Sequence, residues 1–239
     1  MNHHSLPTVT VITVCYNAKE ALKTTMRSVF AQRYDALEYV IVDGASTDGS
    51  VELIKQSANK VDHWVSEPDN GIYDAMNKGA RQASGEWVMF LNAGDEFANE
   101  EVLRRIFEHD IQADIVYGDV VKDGIVKEAE PPHAAHRMFF CHQSCLTRRS
   151  CLLQTPFDTT HKLSADFKFF KQMYREHKRF KQLHFPIAVF DTGGISNRKR
   201  SMGLKDNMRV IAEVDDIQTQ IRLLPRLYFV YLLCKLRGK

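Results

Sequence analysis

Nothing in the 239 residues approaches the ~20 consecutive apolar positions a bilayer-spanning helix needs. Met1–Pro7 has no basic stretch leading into an apolar one, so no secretory leader is expected. Five cysteines, an odd count without framework spacing, exclude a disulfide-stapled scaffold and fit a reducing compartment. Cys141, His142, Cys145 and Cys151 are close in sequence but lack a paired CxxC rhythm, so buried thiols are expected there rather than zinc. Repeats, low-complexity tracts and clean linkers are missing as well. A strong charge of one sign is missing too, the net value being +2. That total hides an asymmetry: residues 198–239 hold ten Lys/Arg against four Asp/Glu, leaving residues 1–197 at net −4. An acidic body fits poorly with a nucleic-acid binder, whereas the basic end suits an anionic surface.

What is present is an ordinary globular mixture, 44% hydrophobic and 26% charged. A chain this long buries ~70% of its unfolded surface and needs no covalent staples. Val9–Tyr16, Tyr39–Val42, Val61–Val65, Trp87–Leu91 and Ile115–Tyr117 read as strands. Helical spacing marks Ala21–Gln32, Ser50–Ser57, the stretch from Ile72 to Ala83, and Glu100–Glu108, the last capped by Asn99. Alternation of this kind predicts an α/β fold, a Rossmann-like, mostly parallel sheet with helices on both faces. Beyond it, Asp123-Gly124 signals a hairpin within Val120–Lys127. A helix near 165–177 and a strand over Ile187–Phe190 follow. We expect one domain over 1–200 and a basic, apolar, helical extension over 201–239.

Ligands of open α/β sheets sit outside the carboxyl ends of the strands. Polar residues fall there four times: Tyr16-Asn17, Asp43, Glu67–Gly71 and Asn92–Asp95. In Asp43-Gly44-Ala45-Ser46-Thr47-Asp48-Gly49, a carboxylate at a strand end can accept an imide N–H such as that of uracil, while Asp48 suits a helix cap. Ser66-Glu67-Pro68-Asp69-Asn70-Gly71 leads into Asn77 and Lys78, and its N–H groups suit a phosphate. Asp69 reads equally as cap or ligand. Phe90-Leu91-Asn92-Ala93-Gly94-Asp95 sets a carboxylate beyond a buried strand, where Mg²⁺ or Mn²⁺ can be held with the help of substrate phosphates.

In order and spacing, Val-Ile-Thr-Val-Cys-Tyr-Asn, Asp-Gly-Ala-Ser-Thr-Asp-Gly-Ser, Ala-Met-Asn-Lys-Gly-Ala and Phe-Leu-Asn-Ala-Gly-Asp resemble the GT-A glycosyltransferases of family 2. The match is firm from about Thr8 to Asp95 and weaker to about Ser196. The resemblance implies a GT-A fold, a nucleotide-sugar donor, a divalent cation (Mg²⁺ or Mn²⁺) and inversion at the anomeric carbon. By it, Asp43 matches the base-reading aspartate and Asp95 the last acid of the metal motif. Gly94 and Asn92 stand where fuller motifs carry acids, so fewer carboxylates reach the ion. Asp166 matches the general base, which removes the proton of the acceptor hydroxyl.

The reading that results is an inverting transfer from a nucleoside-diphosphate sugar, with UDP as carrier, to a saccharide or lipid-linked saccharide in cell-surface polysaccharide synthesis. Tyr16, Asn17, Asp43, Asp69, Asn77, Lys78 and Asn92 are expected to line the donor site, Asp95 to hold the metal and Asp166 to act as base. His142-Gln143 reads as acceptor lining or as a core histidine. Gly193-Gly194-Ile195-Ser196 with Arg198-Lys199-Arg200 reads as a basic loop over the diphosphate or as a solvated charge run. Leu223–Lys235 reads as an interfacial helix on anionic lipid or as a docking segment, so a cytoplasmic location, at a membrane face where that segment binds, is expected. Nucleic acid is not an expected partner. Two other classes compete: a sugar nucleotidyltransferase, which normally has a Gly-rich loop where Cys15-Tyr16-Asn17-Ala18-Lys19 stands, and a non-catalytic carbohydrate- or partner-binding module.

Overall fold

The structure, a computed structural model, describes residues 6–108, 111–193 and 200–236. Strands β1 (Val9–Cys15), β2 (Leu37–Asp43), β3 (His63–Ser66) and β4 (Trp87–Phe90) form a parallel half-sheet in the order β3-β2-β1-β4. Their crossovers carry α1 (Lys19–Phe30), α2 (Ser50–Gln56) and α3 (Ile72–Gln82). Alternate residues go to opposite cores. Val9, Val11, Tyr39, Ile41, Trp87 and Met89 enter one cluster, and Ile12, Val14, Val40, Val42, Val88 and Phe90 the other. Helices cover both faces of β1, β2 and β4, which are therefore buried almost without a break, whereas the edge strand β3 is partly exposed. Gly79 lets α3 lie against the sheet, since a Cβ there would fall 2.5 Å from Ile12 Cγ2.

Mixed pairing follows in the second half. β5 is Glu96–Phe97, β6 Ile115–Lys122, β7 Ile125–Lys127, β8 Cys145–Arg148 and β9 Phe180–Phe190. The sheet continues from β4 through β8, β6 and β9 to β5, with β7 as a hairpin on β6. Asp123 and Gly124 turn that hairpin with φ of 51° and 73°, the left-handed pair a two-residue loop requires. β8 runs antiparallel to both β4 and β6, and β9 parallel to β6. The carboxyl end of β9 therefore points to the same edge as those of β1 to β4. α4 (Val102–Ile106), α5 (Arg149–Gln154) and α6 (Ala165–Arg175) complete the body.

The extension forms a helical hairpin, α7 (Arg200–Val214) and α8 (Ile217–Leu236). Val210, Ile211, Leu223 and Leu227 bury against Phe167 of α6. Polar contacts secure the same contact region. Fully buried His161 faces Asp206 through Nδ1 and Glu213 through Nε2, both at 2.9 Å, and Lys171 pairs with Asp215 at 2.8 Å. Asp158, His161 and Glu213 have ligating atoms within 4.8 Å of one another, yet the Lys168 ammonium bonds both carboxylates at 2.6 Å and already supplies the positive charge. Cys141, Cys145 and Cys151 are free thiols, and no group of ligating side chains among the described residues includes them.

Candidate active site

Five strand ends meet at one edge. β1 and β2 finish in register, Cys15 opposite Asp43, and Ala93 N–H reaches back to Val14 carbonyl at 3.2 Å, which fixes the turn after β4 beside them. At this edge Asp43 is fully buried. Its Oδ2 accepts from Ser46 N–H (2.9 Å) and Ser66 hydroxyl (2.7 Å), and the Cys15 thiol donates to Oδ1 at 3.4 Å. Burial pushes this carboxyl up, but the hydrogen bonds from Ser46 and Ser66 overcome that and hold it below the usual range. With no exposure and donors on both oxygens, the Asp43 side chain ties β1, β2 and β3 together at this edge.

Asp69, half-buried, stands at the more open part of the same edge. Its Oδ1 accepts Gly71 N–H at 2.8 Å, a turn bond one residue short of α3 and not a helix cap, while Oδ2 lies where a Cβ on Gly44 would be. The Tyr16 ring flanks the same spot, 3.3 Å from where a Cβ on Gly44 would lie, and is 65% exposed. An exposed ring edge beside a carboxylate at three strand ends is a setting for a flat, N–H-bearing base. Asn17 is a staple: at φ 47° its N–H donates to Ser46 Oγ (2.8 Å) and its Oδ1 accepts Thr47 N–H (2.8 Å). Asp48 receives Lys19 N–H and Ser50 N–H and so ties the starts of α1 and α2, as capping predicts.

Asn77 is buried and exchanges two hydrogen bonds with the Phe157 backbone, at 2.8 and 2.9 Å, so it fastens α3 to the body. Lys78 Nζ binds Glu67 (2.9 Å) and the Pro68 carbonyl (2.9 Å), which shapes the loop carrying Asp69. Asn77 is thus bonded to the Phe157 backbone, and Lys78 to the carboxylate and carbonyl of its own turn.

Asp95 is 3% exposed. Its Oδ2 accepts Asn92 N–H at 3.2 Å and its Oδ1 accepts Asp191 N–H at 3.0 Å. Burial pushes its carboxyl up to about 7, and backbone donors only partly offset this. Asn92 Oδ1, in the same turn, is buried with no hydrogen-bond partner. An orphaned carbonyl oxygen next to an anion that burial disfavours suits a hard divalent cation, which binds such oxygens. The residues fit the ion.

Asp166 opens α6. Its Oδ1 accepts the Tyr73 hydroxyl at 2.7 Å, and Oδ2 lies 3.7 Å from His142 Nδ1. Tyr73 belongs to the first turn of α3, directly after the Asp69 loop, and Lys162 Nζ donates to the Asn70 carbonyl at 2.9 Å. Through these bonds Asp166 is brought to the donor edge. His142 packs among Phe90, Phe157 and Phe170, and burial holds its imidazole below the usual histidine range, with Asp166 opposing this in part. Of its two readings, the core histidine describes its surroundings. Gly194–Lys199 of the basic loop lie outside the described residues, as does the side chain of Arg200.

A family model for glycosyl transferase family 2 matches residues 10–196. The chain belongs to this family. Its fold is GT-A. The mannosyltransferase PcManGT of Pyrobaculum calidifontis, solved with GDP-Man and Mn²⁺, superimposes with a TM-score of 0.67 at 19% identity, over 88% of this chain and 64% of that one. The TarS fragment of S. aureus in complex with UDP gives 0.65 at 19% identity, over 92% and 71%. Among relatives, the PGL/p-HBAD biosynthesis glycosyltransferase of Mycobacterium bovis is 29% identical over 206 residues, 80% of each chain. A glycosyltransferase of Mycobacterium tuberculosis is 41% identical over 105 residues, which span only 40% of its length.

The same edge holds two residues that sequence reasoning passed over. Tyr73 holds the candidate base, and Asp191, just past β9, donates its N–H to the candidate metal ligand. The signal for Asp191 was available: it is a polar residue at a strand's carboxyl end, like the four stretches singled out earlier.

Proposed function

We propose that the protein is an inverting glycosyltransferase, transferring a sugar from UDP to a hydroxyl of a saccharide or lipid-linked saccharide in cell-surface polysaccharide synthesis. The observation that carries this reading is the link from the donor edge to Asp166 through Tyr73. A carboxylate on the acceptor side, oriented by a phenol from the helix that follows the nucleotide loop, is what single-step displacement needs. Tyr16 and Asp69 bind the base, Asp69 accepting its imide N–H. Asn92 and Asp95 hold the cation, which when bound neutralises charge on the departing diphosphate. Asp166 takes the acceptor proton as the hydroxyl attacks, and Tyr73 keeps its carboxylate aimed. That two solved neighbours bind GDP-Man with Mn²⁺ and UDP supports a nucleotide-sugar donor.

The C-terminal hairpin supports a membrane-proximal acceptor. α8 is apolar on two opposite faces. Leu223 and Leu227 face the body, while Ile217, Ile221, Tyr228, Phe229, Leu232 and Leu236 are exposed. A contiguous exposed apolar face of this kind marks an interaction surface. No residue of α8 is acidic and Arg222, Arg226 and Lys235 are exposed, so the cover we propose is anionic lipid, with the enzyme on the cytoplasmic face. No helix among the described residues is long and apolar enough to cross a membrane. α7 of the same hairpin packs on α6, the helix of Asp166, which supports an acceptor side near the lipid.

The test is to incubate the purified chain with UDP-glucose, UDP-galactose, UDP-GlcNAc and GDP-mannose in Mn²⁺ and to follow released nucleotide. Release of nucleoside diphosphate from one UDP-sugar is expected. Pyrophosphate production would instead mark a nucleotidyltransferase, and turnover of no donor would reject the enzyme reading.

A further inference from the structure

The metal motif here contains one carboxylate, Asp95, because position 94 is glycine. Gly94 has φ 106°, and the Cβ it lacks would lie 2.5 Å from Asp191 Oδ2 and 3.1 Å from Asp191 Cγ. The space of the missing side chain is therefore filled by a carboxylate delivered from the end of β9. Asp191 is locked there by its own backbone. Its N–H donates to Asp95 Oδ1 at 3.0 Å, which ties the two residues together. Its Oδ1 accepts Gly193 N–H at 2.9 Å, which turns Oδ2 towards Gly94. Asp95 is buried, Asp191 is exposed, and the partnerless Asn92 Oδ1 lies in the same turn.

We propose that Asp191 is a ligand of the divalent cation, supplying from β9 the second carboxylate that the β4 turn lacks. This rests on the metal-dependent reading above. A turn residue needs only the Oδ1 bond to Gly193; it does not need its second oxygen held over a glycine beside Asp95. With Asp95 and Asn92, Asp191 gives the ion three protein oxygens of the hard class that Mg²⁺ and Mn²⁺ favour, leaving its other positions to diphosphate and water.

Mn²⁺ binding to the full chain, followed by electron paramagnetic resonance of the free ion with UDP present, tests this without any turnover. Asp191→Asn keeps the shape and Asp191→Ser checks it with a smaller side chain. Asp123→Asn serves as control, since Asp123 bonds the neighbouring Thr192 at 2.7 Å but lies on the hairpin. Both Asp191 variants are expected to bind Mn²⁺ about tenfold or more weakly, the scale on which even outer partners of metal sites act. UDP affinity in EDTA and the melting temperature stay at their wild-type values. Wild-type Mn²⁺ affinity in folded Asp191→Asn would overturn the assignment while leaving the metal-dependent reading intact. A wild-type chain that binds no Mn²⁺ would overturn both.

Discussion

Replacing Asp166 by Asn separates a proton acceptor from a structural carboxylate. The amide keeps the size of the group and can still accept the Tyr73 hydroxyl, which bonds Oδ1 at 2.7 Å. What it loses is the capacity to take a proton from the acceptor. General-base assistance contributes ~10²–10⁴-fold, equivalent to ~2.7–5.5 kcal/mol at 1.36 kcal/mol per decade. Donor binding depends on the Tyr16 and Asp69 side of the cleft, so UDP affinity by calorimetry should stay within about twofold of wild type. kcat and kcat/KM should fall together, because the lost interaction exists only in the transition state. Tyr73→Phe provides the internal scale. It removes one hydrogen bond to a charged group, worth ~1.5–3 kcal/mol at most. The Asp166 side chain is 23% exposed, so water replaces part of that bond and about a tenfold loss of kcat is expected. The assay is release of nucleoside diphosphate at saturating donor and acceptor. Retention of more than about a tenth of wild-type kcat by Asp166→Asn, or a larger loss in Tyr73→Phe than in Asp166→Asn, would refute the base assignment.

The remaining predictions concern the base pocket, the ion and the hairpin. Asp69→Asn should weaken UDP binding about tenfold, one hydrogen bond to a charged acceptor, with little change in melting temperature. Asp43→Asn should do the reverse, costing ~1–3 kcal/mol in denaturant titration because buried donors lose a charged acceptor. The Asp43 carboxyl is held below its unfolded value, so its stabilisation is present above about pH 4 and is lost as pH falls through the folded value. The Asn variant should accordingly lose less stability on acidification than wild type, as urea midpoints between pH 6 and pH 3 would show. EDTA should abolish transfer and Mn²⁺ restore it; full activity in chelator would remove the ion from the reaction. Ile221→Asp with Phe229→Asp should abolish flotation with phosphatidylglycerol vesicles without affecting donor hydrolysis, and unchanged flotation would mean that protein covers α8.

The parallel half of the fold was legible because its strands are buried on both faces and its helices carry one apolar stripe. Val9, Val11, Ile12 and Val14 all have somewhere apolar to go, whichever way they point. β8 and α5 were not legible. Cys145–Arg148 is four residues long and runs directly into Arg149–Gln154, so neither segment is long enough to show a period. β5, two residues, exists only through its pairing with β9. At the site, sequence singled out loops that the fold gathers at one edge, but not the orientation of their side chains. Asp43, the last residue of β2, and Asn77, inside α3, point inward, where Ser46, Ser66 and the Phe157 backbone bond them. Orientation depends on partners 23 to 80 residues away, which local reasoning does not reach. Motif residues with small side chains looked like departures for the same reason.

Gly44 and Gly94 show what those departures mean. Each lies within a signature stretch at the sheet edge, and at each the position of a side chain is occupied by a carboxylate from elsewhere, Asp69 after β3 and Asp191 after β9. Counting acids along one motif therefore undercounts the charge in the cleft. Restoring an acid at 44 or 94 would not simply add a ligand: at both places a Cβ collides with the incoming carboxylate, and at 94 the φ of 106° strains any side chain as well. Glycine and distant aspartate form complementary pairs, so a working variant must exchange both members at once. The Gly44/Asp69 pair is the easier one to exchange, because Gly44 does not have a left-handed backbone. Gly44→Asp alone should therefore weaken UDP binding as Asp69→Ser alone does, while the double substitution should recover it by moving the carboxylate across the same gap. Failure of the double variant to bind better than either single one would show that Asp69 is merely a loop residue.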